Sequence, residues 1–456
     1  MCHEVTPARS LAALYMDALP LLAAPGRHSY RCPGEDYDID RAVHLGRLAE
    51  FYPGCRECAH RGEVTELSSE QRQQWAELDS RRTSGPRFTA EGLESSSPGD
   101  IDRPTVQQFS TALAIALWRG AGEKPKPPVV VVGNDGNWAS AELLSTACEA
   151  LQWAGCAAVE AGATTSASLA SVTHQLRADA AIWLGNASGR PHAFSLKVLG
   201  TGGQPWSSPG GLDRVQEIYD SRPARPKRHG GGLRRASADE VYLKPLESLF
   251  HALRPLRFVV DTASAPLLGC FERLASDSAC ELVRPQRTQM FAQQRPTADT
   301  SFLARRVSLI GQQVVEEGAH FGLWIDGDAE SCHAVDERGL PVDIERMFWM
   351  MATYVCREQS QPTMVLEADA SSDLNVALEQ LGVRVIRSRS TRESMSAAIA
   401  SSDAIFGGGP SGRFWYSGQP PLPDALMTLS LLLTMLSQSD RPISAVLDSG
   451  CGALYK

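Results

Sequence analysis

The segment ADAAIWLGNASGRPHAFSLK, residues 178–197, decides how the rest of the chain is interpreted. It contains a continuous apolar run, AAIWL, which is typical of a buried strand. Small and polar residues follow and predict a loop, after which Lys197 lies on the next strand. Because ligands of open α/β sheets bind outside the carboxyl ends of the strands, this loop is a candidate functional site.

Strands and helices alternate on both sides of this segment. PPVVVVGND (127–135) predicts a strand and a loop, and SAELLSTACEALQWAG (140–155) predicts a helix. FGLWIDGDAE (321–330) predicts another buried strand, and DALMTLSLLLTML (424–436) predicts a helix. Such alternation predicts βαβ units. We therefore expect an α/β fold of three tandem α/β/α domains with mixed, mainly parallel sheets.

Composition excludes several classes of function. Of the 456 residues, 43% are hydrophobic and 21% are charged, which is ordinary for a globular protein. The net charge of -9 argues against nucleic-acid binding, and no apolar run approaches the ~18 residues of a membrane span. The apolar N-terminal stretch is interrupted by Asp17 and Pro20, so we do not expect a secretion signal. The 11 scattered cysteines do not form a disulfide pattern, which predicts a cytoplasmic protein.

Three carboxylates follow one of the predicted strands at alternate positions. Asp326, Asp328 and Glu330 belong to the segment FGLWIDGDAESCHAVDERG (321–339). Side chains at alternate positions of an extended loop can converge on one cation, and Mg²⁺ prefers oxygen ligands at ~2.0–2.1 Å. The alternative interpretation is an acidic surface turn. The apolar strand before the carboxylates favours a magnesium site.

The same segment resembles the metal loop D-G-D-x-D-R of the α-D-phosphohexomutases, the superfamily of phosphoglucomutases and phosphomannomutases. Asp326, Gly327 and Asp328 match this pattern, whereas Glu330 replaces its third aspartate and Ser331 its arginine. Glutamate is one methylene longer than aspartate, so its fit to the compact Mg²⁺ ion would be poorer. The resemblance thus implies a magnesium site in a modified form.

Four other segments resemble motifs of this superfamily in the expected order. RFTAEGLESS (87–96) is similar to F-G-T-D-G-I-R-G, and VVVVGNDGNWAS (129–140) is similar to v-v-v-G-R-D-T-R-x-S-S. The opening segment resembles the loop that carries the catalytic phosphoserine. IFGGGPSGRFWYS (405–417) resembles the sugar-recognition loop F-G-G-E-x-S-G-H. The resemblance implies substrate contacts in that last loop, from Gly409, Ser411, Gly412 and Arg413.

The opening segment aligns with the phosphoserine loop without a gap. This register puts Ala187 at the phosphoserine and Ser188 at the neighbouring histidine. Alanine cannot carry a phosphoryl group, which mutase chemistry requires. Lys197 matches the lysine that assists proton transfer in the family, and the alternative is a solvated lysine. The resemblance therefore implies the phosphohexomutase fold, with Ser188 and Lys197 as weak candidates for catalysis.

Three functions are consistent with these patterns. The first is a catalytically impaired phosphohexomutase-like protein of carbohydrate metabolism that binds a phosphosugar or a protein partner. The second is an active intramolecular phosphotransferase that uses Ser188 and the magnesium site. The third is a non-catalytic, metal-stabilised interaction module. We favour the first, because the eroded motifs are too many to support the reaction.

The motifs also predict the domain organisation. An N-terminal extension (1–86) is followed by a first phosphohexomutase-like domain (87–221) and a basic linker (222–238). A second domain (239–338) and a third domain (339–456) follow the linker. The family's fourth domain carries a loop of the form R-x-S-G-T-E-P. We find no such motif in this sequence and expect that domain to be absent.

The extension contains its own candidate metal ligands, Cys32, Cys55, Cys58 and His60. A C-x-x-C pair forms a tight chelate loop that suits tetrahedral zinc, and a third cysteine with a histidine would complete the set. Thiolates also bind iron–sulfur clusters. The alternative is a group of unligated cysteines in a small helical appendage.

Overall fold

The computed structural model describes residues 29–32, 35–50, 52, 55, 58–81, 85–95, 100–120, 126–186, 193–224, 226, 231–285 and 302–450. The chain divides into two units, Met1–Arg81 and Arg82–Lys456. No helix within these ranges is long and apolar enough to cross a membrane.

The first unit is a short antiparallel hairpin followed by two helices. Its elements are β1 (Tyr30–Arg31), β2 (Asp38–Ile39), α1 (Arg41–Ala49) and α2 (Ser69–Arg81). Its core contains Leu48, Cys55, Leu67 and Trp75. The indole N–H of Trp75 donates to the carbonyl of Leu48 at 2.8 Å, which fixes α2 against α1.

The second unit begins with a seven-stranded mixed sheet in the order β3-β4-β8-β7-β5-β6-β9. Its strands are β3 (Arg87–Thr89), β4 (Gly92–Ser95), β5 (Val129–Asn134), β6 (Ala157–Ala163), β7 (Ala180–Asn186), β8 (Phe194–Leu199) and β9 (Leu233–Arg235). Its helices are α3 (Arg103–Gly120), α4 (Trp138–Trp153), α5 (Ser166–Gln175) and α6 (Gly211–Asp220). Strands β5, β6, β7 and β9 are parallel, whereas β3, β4 and β8 pair antiparallel.

Both faces of this first sheet are covered. Val130 and Val132 of β5 lie in one apolar core, and Val131 between them lies in another. A continuous apolar run is what such a strand requires, because successive side chains point to opposite faces. Strand β9 lies within the segment predicted as a linker and pairs parallel with β6. Its basic, exposed sequence carries no strand periodicity, so the pattern did not indicate it.

A second sheet has four strands in the order β11-β10-β12-β13, with β13 antiparallel. After α7 (Asp239–Leu243), its elements are β10 (Arg257–Thr262), α8 (Ala265–Leu274), β11 (Glu281–Val283), α9 (Phe302–Glu316), β12 (Phe321–Ile325) and β13 (Cys332–Val335). Strand β12 is buried along its whole length, as the run FGLWI predicts.

A third sheet has five strands in the order β15-β14-β16-β17-β18, the last two antiparallel. Its elements are α10 (Ile344–Val355), β14 (Thr363–Glu367), α11 (Ser372–Gln380), β15 (Arg384–Ser388), α12 (Arg392–Ser402), β16 (Phe406–Gly408), β17 (Phe414–Tyr416), β18 (Leu422–Pro423), α13 (Ala425–Ser437) and α14 (Ile443–Gly450). The mixed α/β architecture predicted from the sequence is confirmed, with parallel strands at the centre of each sheet and antiparallel strands at an edge.

The second and third sheets share one apolar core. Phe258 and Phe321 of the second sheet belong to the same cluster of buried side chains as Phe348, Phe406 and Phe414 of the third. The backbone also joins them, since the N–H of Cys332 donates to the carbonyl of Gly412 at 3.0 Å. The turn after β12 is thereby held beside the turn after β16.

Candidate functional site

The turn after β12 carries three buried carboxylates. Asp326, Asp328 and Glu330 are each at most 1% exposed. The backbone N–H groups of Glu330 and Ser331 donate to Oδ1 of Asp326 at 2.9 and 3.0 Å, and the Ser331 hydroxyl donates to Oδ2. Burial and the neighbouring Asp328 raise the pKa of Asp326 well above its usual value. Asp326 therefore shapes the turn.

Lys197 reaches this turn from β8 in the first sheet. Its side chain is buried, and Nζ contacts Oδ2 of Asp328 and lies 3.3 Å from Oε2 of Glu330. The ammonium also lies 5.6 Å from the centre of the Trp183 ring. Burial disfavours the charged lysine, but the attraction of Asp328 and Glu330 outweighs it and raises the pKa of Lys197. The lysine is thus not solvated.

Two arginines of the third sheet approach the same carboxylate. Nε of Arg392, at the start of α12, lies 3.2 Å from Oε1 of Glu330, and Nη2 of Arg413 lies 3.4 Å from Oε2. Burial favours the neutral form of Glu330, yet Arg392, Lys197 and Arg413 together lower its pKa. Glu330 therefore remains ionised although it is buried.

A fourth carboxylate, Glu91, lies between β3 and β4 of the first sheet. Its oxygens lie 3.7 Å from Nε of Arg392 and 3.6 Å from Nη1 of Arg413. The backbone N–H of Arg392 donates to Glu91 at 3.1 Å. We call the whole group the charge cluster; its members are Glu91, Lys197, Asp326, Asp328, Glu330, Arg392 and Arg413.

The residues predicted to bind magnesium do not fit a divalent cation in this arrangement. Asp326 accepts hydrogen bonds on both oxygens, Asp328 contacts Lys197, and Glu330 faces three cations. Within the part of the chain that the structure describes, no group of three or more His, Cys, Asp and Glu side chains could hold a metal ion. A cation at this turn would have to displace Lys197 from Asp328.

The candidate sugar-recognition loop lies between β16 and β17. The backbone N–H of Ser411 donates to Oε2 of Glu367 at 3.0 Å, and the Ser411 hydroxyl donates to Oε1. A Cβ on Gly409 would lie 2.7 Å from Glu367 Cβ and Oε2, so a side chain has no room there. Burial raises the pKa of Glu367, although the hydrogen bonds from Ser411 act to lower it. Glu367 thus fills the space at position 409, while Gly412 pairs with the turn after β12.

Asp135 organises the loops at the carboxyl ends of β5 and β7. Its oxygens accept from the backbone and side-chain amides of Asn137 at 3.0 and 2.7 Å, and also from the Ser140 hydroxyl. The N–H of Asn186, at the end of β7, donates to it at 3.0 Å. Ala187 and Ser188, which follow Asn186 in the sequence, lie outside the described residues.

The cysteines of the first unit are buried but are not arranged as predicted. Cys32, Cys55 and Cys58 are at most 5% exposed. Burial, with the neighbouring Cys32 and Cys58, raises the pKa of Cys55 to about 12. An N–H of Arg47 lies 2.9 Å from the Cys32 sulfur, and Nδ1 of His60 lies 2.9 Å from Glu63. Among the described residues these side chains form no group that could hold a metal ion, so the structure gives no support to a zinc or iron–sulfur site.

The sequence analysis missed three residues of this region, Glu91, Arg392 and Glu367. Glu91 lies inside a segment that resembles a family motif, so its position in the sequence could have indicated a site residue. Arg392 follows Thr391, the N-cap of α12, and that pattern predicts only a helix start. Glu367 ends β14 and carried no signal, because its role depends on the loop that packs against it.

Comparison with protein families gives two matches. Residues 85–223 match the description "Phosphoglucomutase/phosphomannomutase, alpha/beta/alpha domain I", and residues 343–452 match domain III of the same family. The two ranges together span more than half of the chain.

Individual relatives agree with this result. The chain is 25% identical over 214 residues to a phosphoglucosamine mutase of Methanococcus vannielii, which covers 46% of this chain and 48% of the relative. It is 23% identical over 368 residues to a phosphoglucosamine mutase of Kocuria rhizophila, and this alignment covers 78% of this chain and 79% of the relative.

A solved structure of a phosphoglucomutase/phosphomannomutase family protein from Burkholderia thailandensis superposes with a TM-score of 0.67 at 19% identity. The superposition covers 80% of this chain and 79% of that one. This likeness shows a common fold.

Proposed function

The chain belongs to the α-D-phosphohexomutase superfamily, and on that premise we propose that it is a phosphohexomutase-like protein of carbohydrate metabolism whose phosphoryl-transfer step is impaired. Its proposed activity is to bind a phosphosugar without converting it. The observation that carries the proposal is alanine, Ala187, at the position of the catalytic phosphoserine.

The missing hydroxyl bears directly on the chemistry. Transfer of a phosphoryl group between two sugar positions needs an oxygen that first holds the group and then returns it. In another class of covalent enzyme, loss of the nucleophile costs on the order of a million-fold in rate. We expect an effect of comparable size here.

The state of Lys197 supports the same proposal. A lysine that assists proton transfer must release its proton during the reaction. Lys197 contacts two carboxylates, which raise its pKa and favour the protonated form although the side chain is buried. This lysine is therefore better suited to neutralising charge than to moving a proton.

The loop between β16 and β17 supports binding with altered contacts. Ser411 and Gly412 are retained from the family pattern, but Gly409 offers no carboxylate to sugar hydroxyls. Arg413 is itself engaged by Glu91 and Glu330. We therefore propose that this loop makes fewer contacts to a bound phosphosugar than the family pattern implies. None of the nine described cysteines is joined to another in a disulfide, which supports the proposal of a reducing, cytoplasmic location.

A turnover assay tests the proposal. The purified full chain is incubated with glucose 1-phosphate, mannose 1-phosphate or glucosamine 1-phosphate, together with Mg²⁺ and the matching bisphosphate. We expect no 6-phosphate above the level without protein, while the phosphoglucosamine mutase of Kocuria rhizophila serves as the positive control. A rise in Tm with one of the sugar phosphates is the expected sign of binding, and its absence with all three would favour a protein partner.

The alternative of an active phosphotransferase has its own signature. Ser188 is one position from Ala187 and is the candidate nucleophile in that case. Turnover that disappears in the Ser188→Ala variant would overturn the proposal. Detection of a phosphoryl group within residues 187–192 of the isolated protein, by peptide mass mapping, would do the same.

A further inference from the structure

We propose that Lys197, Arg392 and Arg413 take the place of a divalent cation in this chain, so that a metal-free charge cluster joins its three sheets. The proposal concerns the carboxylates of the turn after β12, which resemble a magnesium loop in sequence. It is argued from the contacts of that turn and does not rest on the proposed impairment of phosphoryl transfer.

The three cations come from the regions of the first and third sheets, and all of them meet a turn of the second sheet. Lys197 lies on β8 of the first sheet, whereas Arg392 and Arg413 belong to the third. All three have a nitrogen within 3.4 Å of Glu330, in the turn of the second sheet. Glu330 is therefore the carboxylate on which the three sheets converge.

The three cations of the cluster are paired with three of its four carboxylates without a metal ion. Asp328, Glu330 and Glu91 each have at least one cationic nitrogen within 4 Å. The remaining carboxylate, Asp326, is satisfied by the two backbone N–H groups and the hydroxyl that donate to it. A dication would add two positive charges beside three that are already present, in a buried site where repulsion is poorly screened.

The contacts between Glu330 and its three cations are ion pairs rather than hydrogen bonds, whereas Lys197 donates a hydrogen bond to Asp328. Within the described residues, neither carboxylate oxygen of Glu330 accepts a hydrogen bond, and Nε and Nη1 of Arg392 donate none. Removal of one member of a buried charged group leaves the others uncompensated. The cluster should therefore respond strongly to the loss of a single charge.

Hydrogen bonds outside the charge cluster hold the same parts of the molecule together. Glu393, next to Arg392, accepts from the backbone N–H groups of Ser207 and Gly211 at 2.7 and 3.1 Å. The hydroxyl of Ser396 donates to Gln204 at 2.8 Å. Helix α12 is thus fixed against the first sheet at several points, and Arg392 is held in position to face Glu330.

Metal binding to the unaltered protein is the first test. The full chain is treated with EDTA, and Mn²⁺ or Mg²⁺ is then added while thermal unfolding is followed. We expect the same Tm in all three conditions, and no Mn²⁺ binding by calorimetry or electron paramagnetic resonance. Saturable Mn²⁺ binding that is lost in the Glu330→Gln variant would overturn the proposal.

The Lys197→Ala variant is the second test. It leaves Asp328 and Glu330 without the lysine, and we expect Tm to fall by roughly 10 °C. Because the uncompensated carboxylates can then accept a cation, Mn²⁺ should restore part of this loss. The matched control is Arg103→Ala, which breaks the exposed pair with Glu142 and should show no response to Mn²⁺.

The outcomes separate clearly. A folded Lys197→Ala variant that Mn²⁺ does not stabilise would contradict the claim that the lysine stands where a cation could bind. If the variant does not fold, the measurements on the unaltered protein decide alone. The proposed impairment of catalysis fails only through turnover, so its failure is distinguishable from a failure here.

Discussion

Two turns of the second unit place buried carboxylates at the ends of buried strands, but the carboxylates of the two turns have different kinds of partner. Asp135, after β5, accepts hydrogen bonds from Asn137, Ser140 and the backbone of Asn186. Glu330, after β12, faces cations from distant parts of the sequence. Asp135 is thus satisfied by directed hydrogen bonds, and Glu330 by charge.

The difference determines how each turn should respond to mutation. A hydrogen-bonded carboxylate loses a limited number of bonds when it is changed, because most of its partners are close in sequence and can be partly solvated. A buried cation cannot be solvated without opening the structure, so removing its partner is more costly. The two turns therefore provide a comparison that can be measured.

The largest effect is expected for Glu330→Gln. The substitution keeps the size of the side chain and removes the charge that Lys197, Arg392 and Arg413 share. We expect the free energy of unfolding to fall by about 3–5 kcal/mol, measured by urea denaturation.

The control for this variant is Glu142→Gln, which neutralises an exposed partner of Arg103. Equal losses for the two glutamines would mean that the charge cluster contributes no more than a surface pair. The comparison between the two turns would then lose its basis.

These two turns also show what the sequence could predict. The apolar runs in the sequence predict strands β5 and β12, and the acidic residues directly after each run predict the carboxylates at the strand ends. The family resemblance put Asp135 and Asp328 in functional loops, and the fold agrees with that resemblance. The resemblance also singled out Lys197 and Arg413, but their pairing with these carboxylates could not be predicted, because Lys197 and Asp328 are 131 positions apart and nothing local links them.

A smaller effect is expected for Asp135→Asn. The amide keeps one acceptor oxygen and replaces the other with a donor, which faces the N–H groups of Asn137 and Asn186. We expect a loss of about 2–3 kcal/mol in the free energy of unfolding. Asp220→Asn, at the exposed end of α6, is the matched control and should be nearly neutral. A loss as large as that of Glu330→Gln would remove the distinction between the turns.

Position 409 shows a second limit of sequence reasoning. The change from the glutamate of the family pattern to Gly409 indicates a lost sugar contact, and that much is visible in the sequence. The sequence does not show that Glu367 occupies the space beside Gly409 and binds Ser411. Compensation of this kind depends on tertiary packing.

Gly409→Ala tests that packing. The added Cβ would lie 2.7 Å from Glu367, so either the loop or the carboxylate must move. We expect a loss of about 1–3 kcal/mol in stability, typical of overpacking. Gly269→Ala is the control: this glycine lies exposed within α8 with nothing within 4 Å of its Cβ position, and alanine should stabilise the helix by about 0.5–1 kcal/mol. A neutral Gly409→Ala would show that Glu367 does not constrain the loop.

The smallest effect is expected for Arg103→Ala, and it shows what decides the strength of an ion pair. Arg103 approaches Glu142 at 2.7 Å, closer than the 3.2 Å between Arg392 and Glu330. Distance alone would make the Arg103 pair the stronger one. Both of its side chains are more than half exposed, however, so water and salt screen the attraction, and we expect a change below about 1 kcal/mol that vanishes in high salt. Urea denaturation of Arg103→Ala and Glu330→Gln at low and high salt tests this argument: the loss at Glu330 should persist in high salt, because the buried charges are not reached by the added ions.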